Sequence, residues 1–233
     1  MKRLCILLGV FLLLSSCQNT GGGKRTLSPH LNFFSSRTRD AVAIGSAAMQ
    51  FDKMFSSVIE KKEVDVWFDP ETDEVFLQFK YQSVTYRQYW DKPNRLKFIT
   101  ALEKYKADYA SKNLNLKSSR ARRAYGTLSG KTEWGQFSAN VLMSSRARPR
   151  VNLGYQFKQE SPYFSVTQQS AENLVNANDV KQYSLDIITY FTRAQADELA
   201  KLFDQQYLLS FSGPQSTPED LIPAQDDDYR EAE

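Results

Sequence analysis

A two-residue period of apolar side chains between residues 63 and 81 constrains the fold of this chain more than any other feature of its sequence. The period is interrupted once, at 69–73, where Asp-Pro-Glu-Thr-Asp favours a turn because proline presets φ and aspartate bonds to the nearby backbone. The residues that share one face are Val64, Val66, Phe68, Val75, Leu77, Phe79 and Tyr81. This period is typical of a strand with one face on a core, so the sequence predicts a β-hairpin over 63–81.

The alternation continues after the hairpin, but it changes phase. Val84, Tyr86 and Trp90 follow the same period, and the slip falls at Gln82-Ser83. Such a slip marks either a second tight turn or a β-bulge. We predict the turn, and therefore a third strand that ends near Trp90.

Three segments have the three- and four-residue apolar spacing of an amphipathic helix. They cover about 41–61, 92–112 and 193–208. Asp40 and Asp91 are the expected N-caps of the first two helices, and Thr192-Arg193-Ala194-Gln195 is a capping box for the third. In the first segment the predicted apolar face consists of Ile44, Ala48, Phe51, Phe55, Val58 and Ile59.

Four further strands are predicted between the second and third helices, at about 126–142, 147–158, 162–169 and 181–191. The start of the first of them, Gly126 to Thr132, is similar to a phosphate-binding loop. However, only three residues separate its glycines where that loop has four, and strand-like alternation follows instead of a helix. We interpret it as a strand flexed at its glycines.

The predicted order of elements is therefore α-βββ-α-ββββ-α. Sequential strands joined by short turns favour an antiparallel sheet, and the helices pack on one of its faces. The expected fold class is α+β, with an antiparallel sheet of about seven strands and about three helices. With 15 Phe, 12 Tyr and 3 Trp in 233 residues, the chain has enough large apolar side chains to form a core.

Cysteine and histidine are confined to the N-terminal part of the chain. The two cysteines are Cys5 and Cys17, and the one histidine is His30. A domain that begins after residue 36 can contain neither a disulfide, nor a zinc–thiolate site, nor a catalytic cysteine or Ser-His-Asp triad. We predict no catalytic residue, no metal site and no cofactor.

The N-terminus has the features of an export signal. Lys2 and Arg3 precede an apolar run, Leu4 to Leu14, which is too short to span a bilayer. The tetrapeptide Leu14-Ser15-Ser16-Cys17 resembles the lipobox of bacterial lipoproteins. The resemblance covers about the first 18 residues. It implies cleavage before Cys17, a diacylglycerol thioether on its sulfur and a fatty acyl group such as palmitate on the new N-terminus.

This resemblance sets the predicted organisation and location of the chain. The predicted parts are a signal peptide at 1–16, a lipidated flexible tether at 17–36, the α+β domain at 37–212 and an acidic, disordered tail at 213–233. Gln18, rather than aspartate, follows the lipidated cysteine. By the sorting rule of enteric lipoproteins this resembles cargo of the outer membrane, so we expect a lipid-anchored envelope protein, in the outer rather than the inner membrane.

Charge is strongly segregated along the chain although the net charge is only +3. Residues 112–158 contain ten basic side chains and one acid, Glu133, whereas 217–233 contain seven acids and one base. Near copies of one pentapeptide place arginines two residues apart at Arg120 and Arg122, and again at Arg146 and Arg148. In an extended chain that spacing puts the guanidinium groups on one face.

Arg150 extends the second arginine pair, and Ala147, Val151 and Leu153 form the opposite, apolar face. Arginine suits phosphate and carboxylate partners. The predicted anion-binding residues are Arg120, Arg122, Arg146, Arg148 and Arg150. Candidate partners are lipid headgroups, an anionic polymer or protein of the envelope, or the acidic tail. Basic loops that only aid solubility are the alternative, and the expected compartment argues against nucleic acid.

The function that the sequence favours is binding or structural, at the membrane that the lipid anchor contacts. Two other classes remain open at this point. A hydrolase that cleaves glycan with two carboxylates needs neither cysteine nor histidine, and a carrier of hydrophobic ligands would need an aromatic cavity. A pocket with facing carboxylates, a dry cavity or an exposed arginine surface would distinguish the three.

Overall fold

The computed structural model describes residues 41–53, 58–138, 141–175 and 181–212. The predicted signal peptide, tether and tail lie outside these residues, and so do Leu14, Ser15, Ser16 and Cys17. All the folded elements described below fall within 41–212.

The described chain forms ten strands and three α-helices. The strands are β1 (Val42–Asp52), β2 (Ile59–Asp69), β3 (Glu74–Tyr81), β4 (Val84–Trp90), β5 (Gly126–Ser129), β6 (Lys131–Ser138), β7 (Val141–Ala147), β8 (Arg150–Lys158), β9 (Ser161–Gln168) and β10 (Ile187–Phe191). The helices are α1 (Lys92–Ala110), α2 (Arg193–Leu202) and α3 (Gln205–Leu209), and a short 3₁₀ turn covers Ala121–Arg123.

All ten strands belong to one antiparallel sheet in the order β5-β8-β9-β10-β1-β2-β3-β4-β6-β7, which curls into a half-barrel. The predicted α+β fold with about seven strands in the order α-βββ-α-ββββ-α is therefore wrong. The observed order is β1–β4, α1, β5–β10, α2, α3, and the sheet rather than the helices dominates the architecture.

One long ribbon joins the two ends of the curled sheet. β5 and β6 are separated by Gly130 alone, and β7 and β8 by Arg148 and Pro149. The pairing keeps one register throughout, from Gly126 opposite Leu153 to Ser138 opposite Val141. Because β8 also pairs with β9 while β6 pairs with β4, this ribbon connects the strands at opposite ends of the sheet.

The first predicted helix is a strand, β1, and a bulge explains the error. The register of β1 against β2 shifts between Ala43 and Gly45, and Gly45 has φ 154°, a value that L-residues rarely adopt. The bulge lets Ile44 face the same side as Ala47, Met49 and Phe51 in the core. The broken alternation produced a spacing of three and four residues that imitates a helix.

Other local predictions are confirmed. The hairpin over 63–81 is formed by β2 and β3, and the slip at Gln82-Ser83 is a tight turn with φ of 49° and 67° at its two central residues. Asp91 caps α1 through a hydrogen bond of 2.9 Å from the Asn94 N–H to its side chain. Both hydrogen bonds of the predicted capping box at Thr192 are present.

The helices pack on the face of the sheet that carries the main core, and Phe98 of α1 lies at its centre. Its ring centroid is 5.1 to 6.2 Å from those of four other aromatic residues: Trp90, Phe164, Phe191 and Phe203. The rings meet mostly edge to face, which is the favoured geometry for aromatic pairs. This cluster connects α1 to β4, β9 and β10 and to the end of α2.

A buried arginine fixes the start of α1. The side chain of Arg95 is 1% exposed, and its Nη2 donates to Asp73 Oδ1 at 2.8 Å and to Gln205 Oε1 at 2.7 Å. Its Nη1 donates to the Asp73 carbonyl at 2.6 Å and to the Trp90 carbonyl at 3.1 Å. One side chain therefore links α1, α3 and the turn between β2 and β3.

Among the described helices, none combines the length and apolar character needed to cross a bilayer.

We predict that Gly154→Ala destabilises the fold by about 3 kcal/mol, because overpacking against backbone forces the chain to shift. A Cβ at this position would lie 2.1 Å from the Ala121 carbonyl oxygen and 2.4 Å from the Arg122 carbonyl carbon. Urea unfolding of the two proteins measures the difference. Gln156→Ala, two residues along the same face of β8, is the control and should cost less than about 1 kcal/mol. An equal loss in both variants would contradict the close approach.

Candidate anion-binding surface

The three arginines predicted to share a face do so. Arg146, Arg148 and Arg150 are exposed, while Ala147 and Val151 between and beside them are buried. The arginines do not lie on one continuous strand, because Arg148 and Pro149 interrupt it between β7 and β8. The alternation nevertheless persists through the interruption, so the three side chains form a row about 13 Å long on the outer face of the ribbon.

The structure places the other two predicted arginines near the end of this row. The 3₁₀ turn lies with its backbone directly against Gly154, on the face of β8 opposite the core residues Leu153 and Tyr155. Arg120 and Arg122 are exposed there. Gly154 is four residues beyond Arg150, so the row continues to these arginines after about another 13 Å. We call Arg120, Arg122, Arg146, Arg148 and Arg150 the arginine row.

Most of the basic residues in 112–158 have no acidic partner. Lys131 pairs with Glu74 at 2.6 Å, and Lys158 pairs with Asp52. Within the described parts of the chain, no salt bridge involves the other eight, which are the arginine row, Lys112, Lys117 and Arg123. All eight are exposed. Their charges are therefore available to an anionic partner.

The one acid of this segment does not offset these charges at the surface, because it is buried. Glu133 is 5% exposed and accepts a hydrogen bond of 2.7 Å from the Tyr89 hydroxyl. In the sheet it lies directly between Arg87 on β4 and Arg146 on β7. Arg87 is fully buried, donates to Gln78 Oε1 at 2.8 Å and lies 4.7 Å from the centre of the Phe76 ring.

Sequence reasoning missed this polar cluster on the outer face of the sheet. Its members are separated in sequence, from Gln78 to Glu133, and only strand pairing brings them together. A signal was present: Trp67 and Phe76 stand at the positions of β2 and β3 that alternation assigns to the polar face. Large apolar residues there indicate that this face is covered as well.

Burial and an acidic neighbour raise the pKa of several tyrosines. For Tyr89, desolvation is the main cause and the Glu133 carboxylate adds to it. Desolvation also leads for Tyr190, which donates to Asp52 Oδ2 at 2.7 Å, and for Tyr125, which donates to Asp108. Burial raises the pKa of Tyr86 to about 12.

Two cavities of the described fold differ greatly in size. A void of about 10 Å³, the size of one water, lies beside Gln88 and Gln168, where β4 approaches β9. A groove of about 440 Å³ lies at the C-terminal end of α1. Its lining consists of Tyr109, Ala110, Lys112, Leu114, Phe157, Pro162 and Arg193, and so contains no carboxylate.

In the described residues no group of three or more His, Cys, Asp or Glu side chains could hold a metal ion.

The class of protein that these features define is an antiparallel half-barrel domain with a basic outer ribbon. A family described as an uncharacterised Treponema protein matches residues 41–210, and the chain belongs to this family. A Treponema pallidum (strain Nichols) protein, described as an uncharacterized protein, is 28% identical over 116 residues. The match covers 49% of this chain and 40% of that relative, so the chain spans less than half of the relative's length. No solved structure matches the chain.

We predict that the free energy of unfolding falls as the pH rises above about 10, the pKa of an exposed tyrosine. A tyrosine whose pKa is raised by folding contributes stability that is complete below its unfolded pKa and is lost as the pH rises towards the folded value. Urea unfolding at pH 8 and pH 11 measures the loss, and Tyr89→Phe should reduce it. Tyr183→Phe is the control, because Tyr183 is exposed, and this variant should lose as much stability between pH 8 and pH 11 as the wild type does. Equal loss in both variants would contradict the role of Tyr89.

Proposed function

We propose that this chain is a lipid-anchored cell-envelope protein whose domain binds the phosphate headgroups of an anionic membrane surface. The arginine row makes the contact, and the protein acts by binding rather than by catalysis. The observation that carries the proposal is the charge arrangement: eight exposed basic residues without an ion pair in the described chain, and a single acid in the same segment that is buried.

The expected anchor supports the choice of a membrane as the partner. With lipid on Cys17, the domain would lie at a typical distance of roughly 25 Å from the bilayer, which is the r.m.s. reach of a flexible tether of about 19 residues. Confinement raises the effective concentration of headgroups near the arginines. Each basic side chain near an anionic surface contributes about 1 kcal/mol, so a row of five is sufficient for stable orientation. Gln18 after Cys17 favours the outer membrane.

The two other classes have less support. A glycan hydrolase needs two carboxylates facing each other across a cleft, whereas the groove of about 440 Å³ is lined by two cations and no carboxylate. A carrier needs an enclosed apolar cavity, whereas the aromatic side chains around Phe98 pack against its ring with centroids 5.1 to 6.2 Å away. Nucleic acid is not proposed as a partner, because the expected location is the envelope.

The lipid anchor gives the first test. We predict that Cys17 carries the lipid, because Leu14-Ser15-Ser16-Cys17 matches a lipobox at every position. Cells that express the chain and are fed a fatty-acid analogue should label the wild-type protein and not Cys17→Ser, which should accumulate as an unprocessed precursor with higher mass. Cys5→Ser is the control and should be labelled normally. Equal labelling of Cys17→Ser and the wild-type protein would contradict the prediction that Cys17 carries the lipid.

The arginine row gives the second test, with the mature-length chain (residues 17–233) carrying Cys17→Ser, so that binding does not depend on the lipid. We predict that Arg146→Gln, Arg148→Gln and Arg150→Gln together weaken binding to phosphatidylglycerol vesicles about 100-fold, the effect of losing about 3 kcal/mol. Binding should also weaken as salt rises, because ions screen exposed charges over about 8 Å at physiological ionic strength. Co-sedimentation with the vesicles measures both effects.

A matched triple variant separates the row from net charge. Lys97→Gln, Lys104→Gln and Lys201→Gln remove the same charge from exposed positions on α1 and α2, and should weaken binding much less. An equal loss in the two triple variants, or binding that is insensitive to salt, would contradict the proposal. Deletion of 213–233 tests the acidic tail as a competitor: tighter binding of the shortened chain would show that the tail occupies the row.

A further inference from the structure

The groove at the end of α1 combines an apolar floor with two cations. Tyr109, Leu114, Phe157 and Pro162 provide apolar surface, and Lys112 and Arg193 are the charged residues of the lining. Its volume of about 440 Å³ lies within the usual range of small-molecule sites, roughly 300 to 1,000 Å³. The groove lies away from Arg146, Arg148 and Arg150, which are not part of its lining.

The local fold holds these residues in place. α1 ends at Ala110, and Lys112 adopts φ 57°, the left-handed conformation that commonly follows a helix C-terminus and turns the chain back. This turn brings Leu114 against the core that also includes Phe157 and Tyr109. The first residue of α2 completes the lining, since Arg193 follows its N-cap Thr192.

The charges of the groove are not neutralised by neighbouring acids. The Arg193 guanidinium carbon lies 3.9 Å from the centre of the Tyr109 ring, so the cation rests on an aromatic face. Neither Arg193 nor Lys112 forms a salt bridge among the described residues. The guanidinium of Arg193 rests on the Tyr109 ring with its face, and the N–H donors at its edge can still bind an anion.

The geometry points to a binding site for a small amphiphile that has one anionic head, a carboxylate or a phosphate, and an apolar body. Arg193 and Lys112 bind the head, and Leu114, Phe157 and Pro162 contact the body. A neutral amphiphile would leave both cations without a partner, and a cationic one would be repelled. Charge complementarity therefore favours a ligand with a negatively charged head, and the apolar lining favours a ligand that also has an apolar body over a small inorganic anion.

Decanoate and decylammonium test this selection, because they share one chain and differ in the sign of the head. Calorimetry below their micelle concentrations, with the mature-length chain, should show one decanoate per protein and at least tenfold weaker binding of decylammonium. Decyl phosphate shows whether the head must be a carboxylate, and inorganic phosphate whether the apolar body is needed. Binding of the two opposite charges with equal affinity would overturn the inference, as would no binding of either anionic amphiphile.

Variants locate the site. Arg193→Gln and Lys112→Gln should each weaken decanoate binding about tenfold, and Ala110→Trp, at an exposed position of the lining, should block it. Lys104→Gln on the same helix is the matched charge control and should bind as wild type. The Arg146, Arg148 and Arg150 triple variant should keep decanoate binding, which separates this site from the membrane contact. Loss of binding in that triple variant, and not in Ala110→Trp, would overturn the assignment to the groove.

Discussion

The hydrogen-bonded register of the ribbon 126–138 with 141–153 is the constraint on which the rest of the structure depends. A sheet that curls leaves two ends with unpaired backbone groups, and such edges promote aggregation. Here β6 completes the pairing of β4, and β8 completes that of β9. The edge at β7 is partly covered too, because the Leu174 N–H donates to the Arg146 carbonyl at 2.8 Å. One ribbon thus supplies the last two strands at each end of the sheet, and it also carries Arg146, Arg148 and Arg150.

Local signals predicted the elements whose geometry depends on neighbouring residues. The Asp91 and Thr192 caps, the 63–81 hairpin and the turn at Gln82-Ser83 are all determined within a few residues, and all are present in the structure. The prediction of a helix over 41–61 was wrong because one residue, Gly45, shifts the alternation of β1. A bulge is stabilised by pairing with β2, and that pairing is not visible in the strand's own sequence.

The candidate surface was predictable only in part for the same reason. The alternation of Arg146, Arg148 and Arg150 with buried residues is local, so the sequence predicted it. Glu133 is buried between β4 and β7, and its burial removes the one acidic charge from the ribbon surface. Its partners in the sheet are Arg87 and Arg146, which are 46 and 13 residues away in sequence. The groove likewise requires the end of α1, the β8–β9 hairpin and Arg193 to meet, which only the tertiary fold decides.

The packed aromatic cluster around Phe98 leaves the candidate binding sites on the surface of the described domain. The rings there meet edge to face, and the void near Gln88 has room for about one water, so neither place offers space for a ligand. The two candidate sites are the outer face of the ribbon and the groove at the end of α1. The packed core suits both sites, because strand pairing holds Arg146 opposite Glu133 and Arg150 opposite Ser129, and side chains that are already ordered lose less entropy when they bind.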